Sequence, residues 1–133
     1  MILGNGVDIA EIDRIGKALA ARHGSRLRDR VFTAGEQEYC EGRGKGRVQS
    51  YAARFAAKEA TMKALGVGWG RHAGWRDIEV ARARGEAPRI VLHGSAAETA
   101  TRLGLERFFL SLTHSGGLAL AFVIGEGRGP ASR

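Results

Sequence analysis

Two acids have the placement that chemistry would need: Asp8 in "GVDIAEIDRI" and Glu59 in "RFAAKEATMKALG". The second stretch reads as a helix, and at about 100° per residue Glu59 lies only about 40° from Phe55, with Met62 about 20° to the other side. The Glu59 carboxylate therefore sits on an apolar stripe. A carboxylate buried alone is costly, so it needs a partner. Lys63, one turn on, would make an i,i+4 pair contributing about 0.2–0.5 kcal/mol. Asp8 offers a different arrangement if its strand packs on this helix. Two carboxylates with no Cys or His beside them suit a hard cation, magnesium in particular, which fills its remaining sites with water and phosphate oxygens. On the residues alone both readings stand.

The bases follow the same division. Beside a metal, Arg54 and Lys63 would be natural phosphate contacts. Lys58 reads as a snorkelling stem with a solvated head. His114, in "LTHSGG", sits at a strand end before a tight turn, where it either donates to a phosphate or is structural. His23, His72 and His93 have no supporting context. Several motifs fail. In "GRGKGR" Lys45 is followed by Gly46 rather than Ser or Thr, so it is not a P-loop, and in "GVGWGR" Arg71 stands where the dinucleotide fingerprint needs its third glycine.

The elements that must position these residues are legible as patterns. Residues 1–10 read as a strand with Val7 and Ile9 on one face and Asp8 on the other, beside Gly4 and Gly6. Residues 11–23 read as a helix with Ile12, Ile15 and Leu19 on its core stripe, ended by Gly24. "SRLRDRVF" reads as a short helix capped by Ser25, and "TAGE" as a capping box of Thr33 and Glu36 that opens a third helix. A long helix spans about 48–65, stopped by Gly66. "WRDIEVARA" and "RIVLHG" read as paired strands, and "SAAETATRLG" as a helix capped by Ser95 with Glu98 closing the box. "RFFLSLTH" and "LALAFVIG" form a hairpin around "SGG", and both are apolar enough to be central strands. Strands linked mainly by hairpins predict an α+β fold with a largely antiparallel sheet packed on the long helix. Residues 1–125 form the expected single domain, with 126–133 a mobile tail.

At 133 residues the chain is long enough for one real core. Its net charge of +7 attracts something anionic without saying what. The start has no basic leader region, no apolar run approaches a membrane span, and the single Cys40 suits a reducing cytoplasm. A basic nucleic-acid-binding protein is the competing class. Against it, aromatics are only 7% and the arginines are scattered along the chain rather than gathered on one element.

Four blocks, "GVDIAEIDRI", "FTAGEQEYC", "RFAAKEATMKALG" and "SLTHSGGLALAFVI", resemble the short bacterial 4′-phosphopantetheinyl transferases in order and spacing, over nearly the whole chain. The resemblance implies the fold of that family. It also implies transfer of the 4′-phosphopantetheine arm from coenzyme A to a serine of apo-acyl carrier protein, in support of fatty acid biosynthesis. By position, Asp8 and Glu59 correspond to the family's magnesium ligands. Arg54, Lys63, Gly66 and His114 correspond to coenzyme A contacts. Glu59 and Lys63 are then the catalytic pair, with Glu59 or a water it holds as base. Arg14 and Arg22 on the basic first helix correspond to carrier-protein contacts, and Lys17 between them reads as solvated. The family's homotrimers, with active sites between subunits, imply that His114 serves a neighbour's site. Neither nucleic acid nor membrane is an implied partner. The glycine-rich "EGRGKGR" and the loop "GVGWGRHAGWRDIEV" depart from the family pattern and leave open how adenine and the 3′-phosphate are held.

Overall fold

In the computed structural model, which describes residues 1–68, 70, 72–83 and 85–131, the first strand and the long helix come into direct backbone contact. Strand β1 spans Ile2–Glu11 and is followed by three helices: α1 (Ile12–Ala20), α2 (Gly24–Val31) and α3 (Ala34–Glu41). Helix α4 spans Arg47–Leu65; then come β2 (Ile78–Ala81), β3 (Arg89–Leu92), α5 (Gly94–Leu103), β4 (Leu105–Ser115) and β5 (Leu118–Gly127). Strands β1, β5 and β4 make an antiparallel sheet in that order, and β2–β3 is a separate hairpin.

Small residues let α4 lie close on the sheet. Gly4, Gly6, Asp8 and Ala10 alternate onto the helix-facing side of β1, opposite Val7 and Ile9. A Cβ on Gly6 would sit 1.9 Å from the Ala60 carbonyl oxygen, and one on Gly4 2.1 Å from that of Ala64. Ala119, Ala121 and Val123 of β5 and Ala52, Ala56, Ala57, Ala60 and Ala64 of α4 complete this buried layer. Close backbone approach trades bulky side chains for many short dispersion contacts.

The α+β architecture and the hairpins are as the sequence predicts, and several local details differ. Helix α1 ends at Ala20, and Gly24 opens α2 rather than closing α1. A side chain at Gly24 would meet the Leu19 carbonyl at 1.8 Å, so close packing of the two helices is what the glycine serves. Neither Ser25 nor Ser95 caps its helix. Ser95 instead donates to Asp77 Oδ2 at 2.7 Å, and α5 has His93 as its N-cap, whose side chain makes no capping bond to the helix. The Thr33–Glu36 capping box is present, with bonds of 3.2 and 2.9 Å. Residues Trp75–Asp77 form a 3-10 turn, so β2 begins only at Ile78. β5 is the central strand, but β4 is an edge. β5 runs through Gly127, past the expected start of the tail, and Gly127 exchanges hydrogen bonds with Met1. Ser132 and Arg133 of that tail lie outside the described residues.

The sheet face away from α4 explains the apolar pattern of the hairpin. Val7, Ile9, Phe109, Leu118 and Phe122 are 39–54% exposed there. Val7 and Ser111 both pair with Phe122, and Ile9 pairs with Leu120, so the patch is continuous across the strands.

Candidate functional site

Asp8 and Glu59 are brought together by the β1–α4 contact. Glu59 and Lys63 are one turn apart on α4, on the flank that meets β1. The Lys63 ammonium donates to Asp8 Oδ1 at 3.0 Å and to the Val7 carbonyl at 2.9 Å. It thus reaches across to the strand instead of closing an i,i+4 pair with Glu59. Burial raises the Glu59 carboxyl above its ordinary value, and the adjacent Asp8 charge raises it further; Lys63 opposes both, and a hydrogen bond with Asp8 adds to the rise. The ammonium thus pairs with Asp8 and acts on Glu59 only through space. Among the described residues no group of three or more His, Cys, Asp or Glu could hold a metal by itself. The donor set nonetheless fits a hard dication that keeps open positions for water and phosphate oxygens, because two crowded carboxylates carry more negative charge than Lys63 neutralises.

The pair stands between two cavities. One, of about 450 Å³, lies towards α1 and α2 and is lined by Asp8, Glu59, Arg14, Ile15, Leu27 and Phe55 among others. The other, of about 340 Å³, is lined by Glu59, Lys63, Phe55, Met62, Val67 and Trp75, with Gly68. Gly66 ends α4 in the left-handed conformation, φ 74°, which a glycine adopts without Cβ strain. The chain then turns so that Val67 and Gly68 border the second cavity.

The other expected site residues are distributed differently. Arg14 borders the first cavity, while Arg22 is exposed in the turn after α1 and outside its lining. Arg54 is not with the carboxylates: five residues before Glu59, it is about 140° round the helix. It is buried, with its guanidinium 4.1 Å from the Tyr39 ring and one bond of 3.4 Å to the Ser50 carbonyl. Its Nε and Nη2 are buried without a protein acceptor, which an anion would supply. Arg43 and Arg82 face the same ring at 5.4 and 5.9 Å. His114 is exposed near the end of β4, opposite Ala119, two strands and two residues from Asp8. Strand spacing puts the two Cα positions about 12 Å apart.

The snorkelling reading of Lys58 is overturned. Lys58 is fully buried and paired with Glu36 at 2.7 Å. The sequence marks Glu36 only as a capping residue, and its second role needs the tertiary contact. Trp75 and Phe55 were also missed as site-lining residues; their rings stack with centroids 5.1 Å apart at 20°. Nothing in their spacing signals the contact, since they lie on different elements.

The Glu59 environment has a sign that can be measured. A carboxyl whose folded value is raised favours folding at low pH, where it is protonated in both states, and loses that contribution as pH rises through its folded value. Metal-free Glu59→Gln is therefore expected to melt above the parent protein at pH 7.5, with the gap closing towards pH 4.5. Thermal scans across that range, without divalent ions, measure it. A gap that is absent or reversed at pH 7.5 would mean that Glu59 is not under this strain.

A small α+β chain with two crowded carboxylates and a lysine between two cavities defines a class of protein able to hold a cation and an anionic group side by side. The model of the 4′-phosphopantetheinyl transferase superfamily matches residues 4–123, and the chain belongs to that family. It is 50% identical over 132 residues to a holo-[acyl-carrier-protein] synthase of Anaeromyxobacter dehalogenans (strain 2CP-1), covering 98% of this chain and 100% of that one. The crystal structure of the holo-[acyl-carrier-protein] synthase from Neisseria meningitidis superposes with a TM-score of 0.84 at 32% identity, covering 95% of this chain and 99% of the other. The Helicobacter pylori enzyme in complex with coenzyme A superposes with a TM-score of 0.79 at 30% identity, over 92% and 99% of the two chains. Among the described residues no helix is long and apolar enough to cross a membrane.

Proposed function

We propose that this chain is a holo-[acyl-carrier-protein] synthase. It moves the 4′-phosphopantetheine arm of coenzyme A to a serine hydroxyl of apo-acyl carrier protein and releases adenosine 3′,5′-bisphosphate. The observation that carries this reading is the meeting of Asp8 with Glu59 and Lys63, in a chain of the phosphopantetheinyl transferase family.

The serine oxygen attacks the β-phosphorus, a new P–O bond forms, and the bond to the bridging oxygen of the pyrophosphate breaks. Such a transfer asks for positioning and charge neutralisation. Asp8 and Glu59 would hold magnesium, which when bound supplies neutralisation of the pyrophosphate charge. Lys63 leaves its contact with Asp8 for a phosphate oxygen. Glu59, or a water it orients, takes the serine proton. Arg54, with its two orphan nitrogens, takes a further phosphate of coenzyme A. Arg14 and Arg22 meet the acidic carrier protein. The enzyme works in the cytoplasm, in fatty acid biosynthesis.

The exposed apolar sheet face supports assembly with further copies of the chain, as a homotrimer. A neighbour's His114 would then complete each site, in line with its separation from Asp8 within one chain. Phe122→Asp is expected to convert the assembly to monomer and to cut activity at least about tenfold, because a charge cannot be buried in an apolar interface. Light scattering coupled to size exclusion reads the state; an unchanged trimer, or a wild-type monomer with full activity, would remove this part of the reading.

The test of function is intact-mass analysis of an apo-acyl carrier protein incubated with this chain, coenzyme A and magnesium. The expected result is gain of one phosphopantetheine arm, lost with EDTA. No gain with several carriers, from a folded chain, would leave only the shared fold and turn attention to nucleic-acid binding.

A further inference from the structure

The buried ion pair at the back of the site has a geometry beyond what stability requires. Lys58 Nζ donates to Glu36 Oε1 at 2.7 Å, to the Trp75 carbonyl at 3.0 Å and to the Ile78 carbonyl at 2.5 Å. Three acceptors match the three hydrogens of an ammonium, and a neutral amine has only two. Glu36 is equally engaged: its Oε1 also accepts from the Thr33 amide at 2.9 Å, and its Oε2 from the Val80 amide at 2.9 Å. The network therefore ties the start of α3, the middle of α4 and the Trp75–Val80 segment into one unit.

That segment carries a wall of the site. The Trp75 ring stacks on Phe55, one turn before Glu59, and both residues border the cavity that Glu59 and Lys63 also line. Buried ion pairs are often replaceable by apolar residues without loss of stability, so stability is a weak reason for this one. Its specific effect is on the backbone at Trp75 and Ile78.

We propose that Lys58 is a positioning residue for the coenzyme A half of the site: paired with Glu36, it holds the Trp75 backbone so that the indole, stacked on Phe55, forms the wall against which coenzyme A lies beside Lys63. This rests on the reading above that coenzyme A meets Glu59 and Lys63. Lys58 touches no reacting atom and acts through Trp75.

The test compares Lys58→Met/Glu36→Gln, which removes both charges together, with Trp75→Ala, Trp75→Phe and the triple variant containing Trp75→Ala. Binding of coenzyme A is measured by calorimetry, folding by circular dichroism, and turnover with saturating carrier. The double variant and Trp75→Ala should each weaken coenzyme A binding about tenfold, the scale of one aromatic contact. In both, kcat at saturating coenzyme A and KM for the carrier should stay within about twofold, since uniform binding is what is lost. Trp75→Phe should recover most of the affinity. The triple variant should bind no worse than Trp75→Ala, because both changes act through one wall. A folded double variant with wild-type affinity, a loss confined to kcat, or additive losses in the triple would overturn the proposal. Should the double variant not fold, equal affinity of Trp75→Ala and the parent overturns it alone. Wild-type protein that does not bind coenzyme A would instead overturn the functional reading on which it rests.

Discussion

Asp8→Ala abolishes arm transfer: kcat/KM falls by at least about 10³-fold, the scale on which removal of a charge-stabilising group acts in phosphoryl transfer. The protein stays folded. Asp8 is only partly exposed, but its one ion pair among the described residues is with Lys63, whose side chain is 54% exposed and returns to solvent without leaving a buried charge. Glu59→Ala should be as inactive, and the double variant no worse than either single, because the carboxylates act as a unit. Asp8→Asn keeps the shape and loses the charge, and is expected to resemble alanine. Product formation followed by intact mass, with circular dichroism as the folding control, measures all four. Folded Asp8→Ala with activity within tenfold of the parent would show that the Asp8–Glu59 pair is not the reaction centre.

Gly6→Ala is expected to be damaging without touching any polar group. Its Cβ would stand 1.9 Å from the Ala60 carbonyl oxygen and 2.9 Å from Lys63 Cβ. Neither neighbour can give cheaply, since one is helix backbone and the other is fixed by it. Helix α4 must move off β1 by more than an ångström, breaking the alanine layer. Overpacking of this kind costs about 3 kcal/mol, which in a chain of this size lowers Tm by roughly 10–15 °C. The same displacement carries Glu59 and Lys63 away from Asp8, so activity should be lost even below the melting range. Gly46→Ala is the control: Gly46 has φ −88°, and the nearest atom to its added Cβ is 3.9 Å away. Thermal melts and arm-transfer assays at 15 °C separate the two effects. A Gly6→Ala protein with parental Tm would mean that α4 and β1 are not in backbone contact.

Part of the site is legible in the sequence and part is not. Asp8 and Glu59 stand out in sequence because a carboxylate on an apolar stripe and another flanked by small residues each violate the pattern around them. Lys58 violates the pattern too, yet reads as solvated, since a long stem on a helix face says nothing about where its head ends. Its partner Glu36 is 22 residues away and looks complete as a capping residue. Arg54 carries its charge signal in the sequence, and the helix period already turns it away from Glu59, but that it ends buried on the Tyr39 ring of α3 is decided only by the tertiary contact. The apolar runs of the final hairpin read as central strands. Only the sheet order shows that β4 is an edge, and on its face away from α4 Phe109 is the exposed apolar residue among Ser111 and Thr113.

Local chemistry is what the sequence by itself determined: helix and strand periods, the Thr33–Glu36 box, the stop at Gly66, the α+β class, and the acids and lysine on which the family resemblance rests. These are set by residues within a few positions of each other, and they survive whatever else the chain does. Tertiary structure decided which distant groups share a space. It put Lys63 on Asp8 rather than on Glu59, buried Lys58 against Glu36, stacked Trp75 on Phe55, and left one face of the sheet uncovered. Each of those depends on the distance of closest approach between elements, and for α4 and β1 that distance is set by the hydrogen atoms that Gly4 and Gly6 carry in place of side chains.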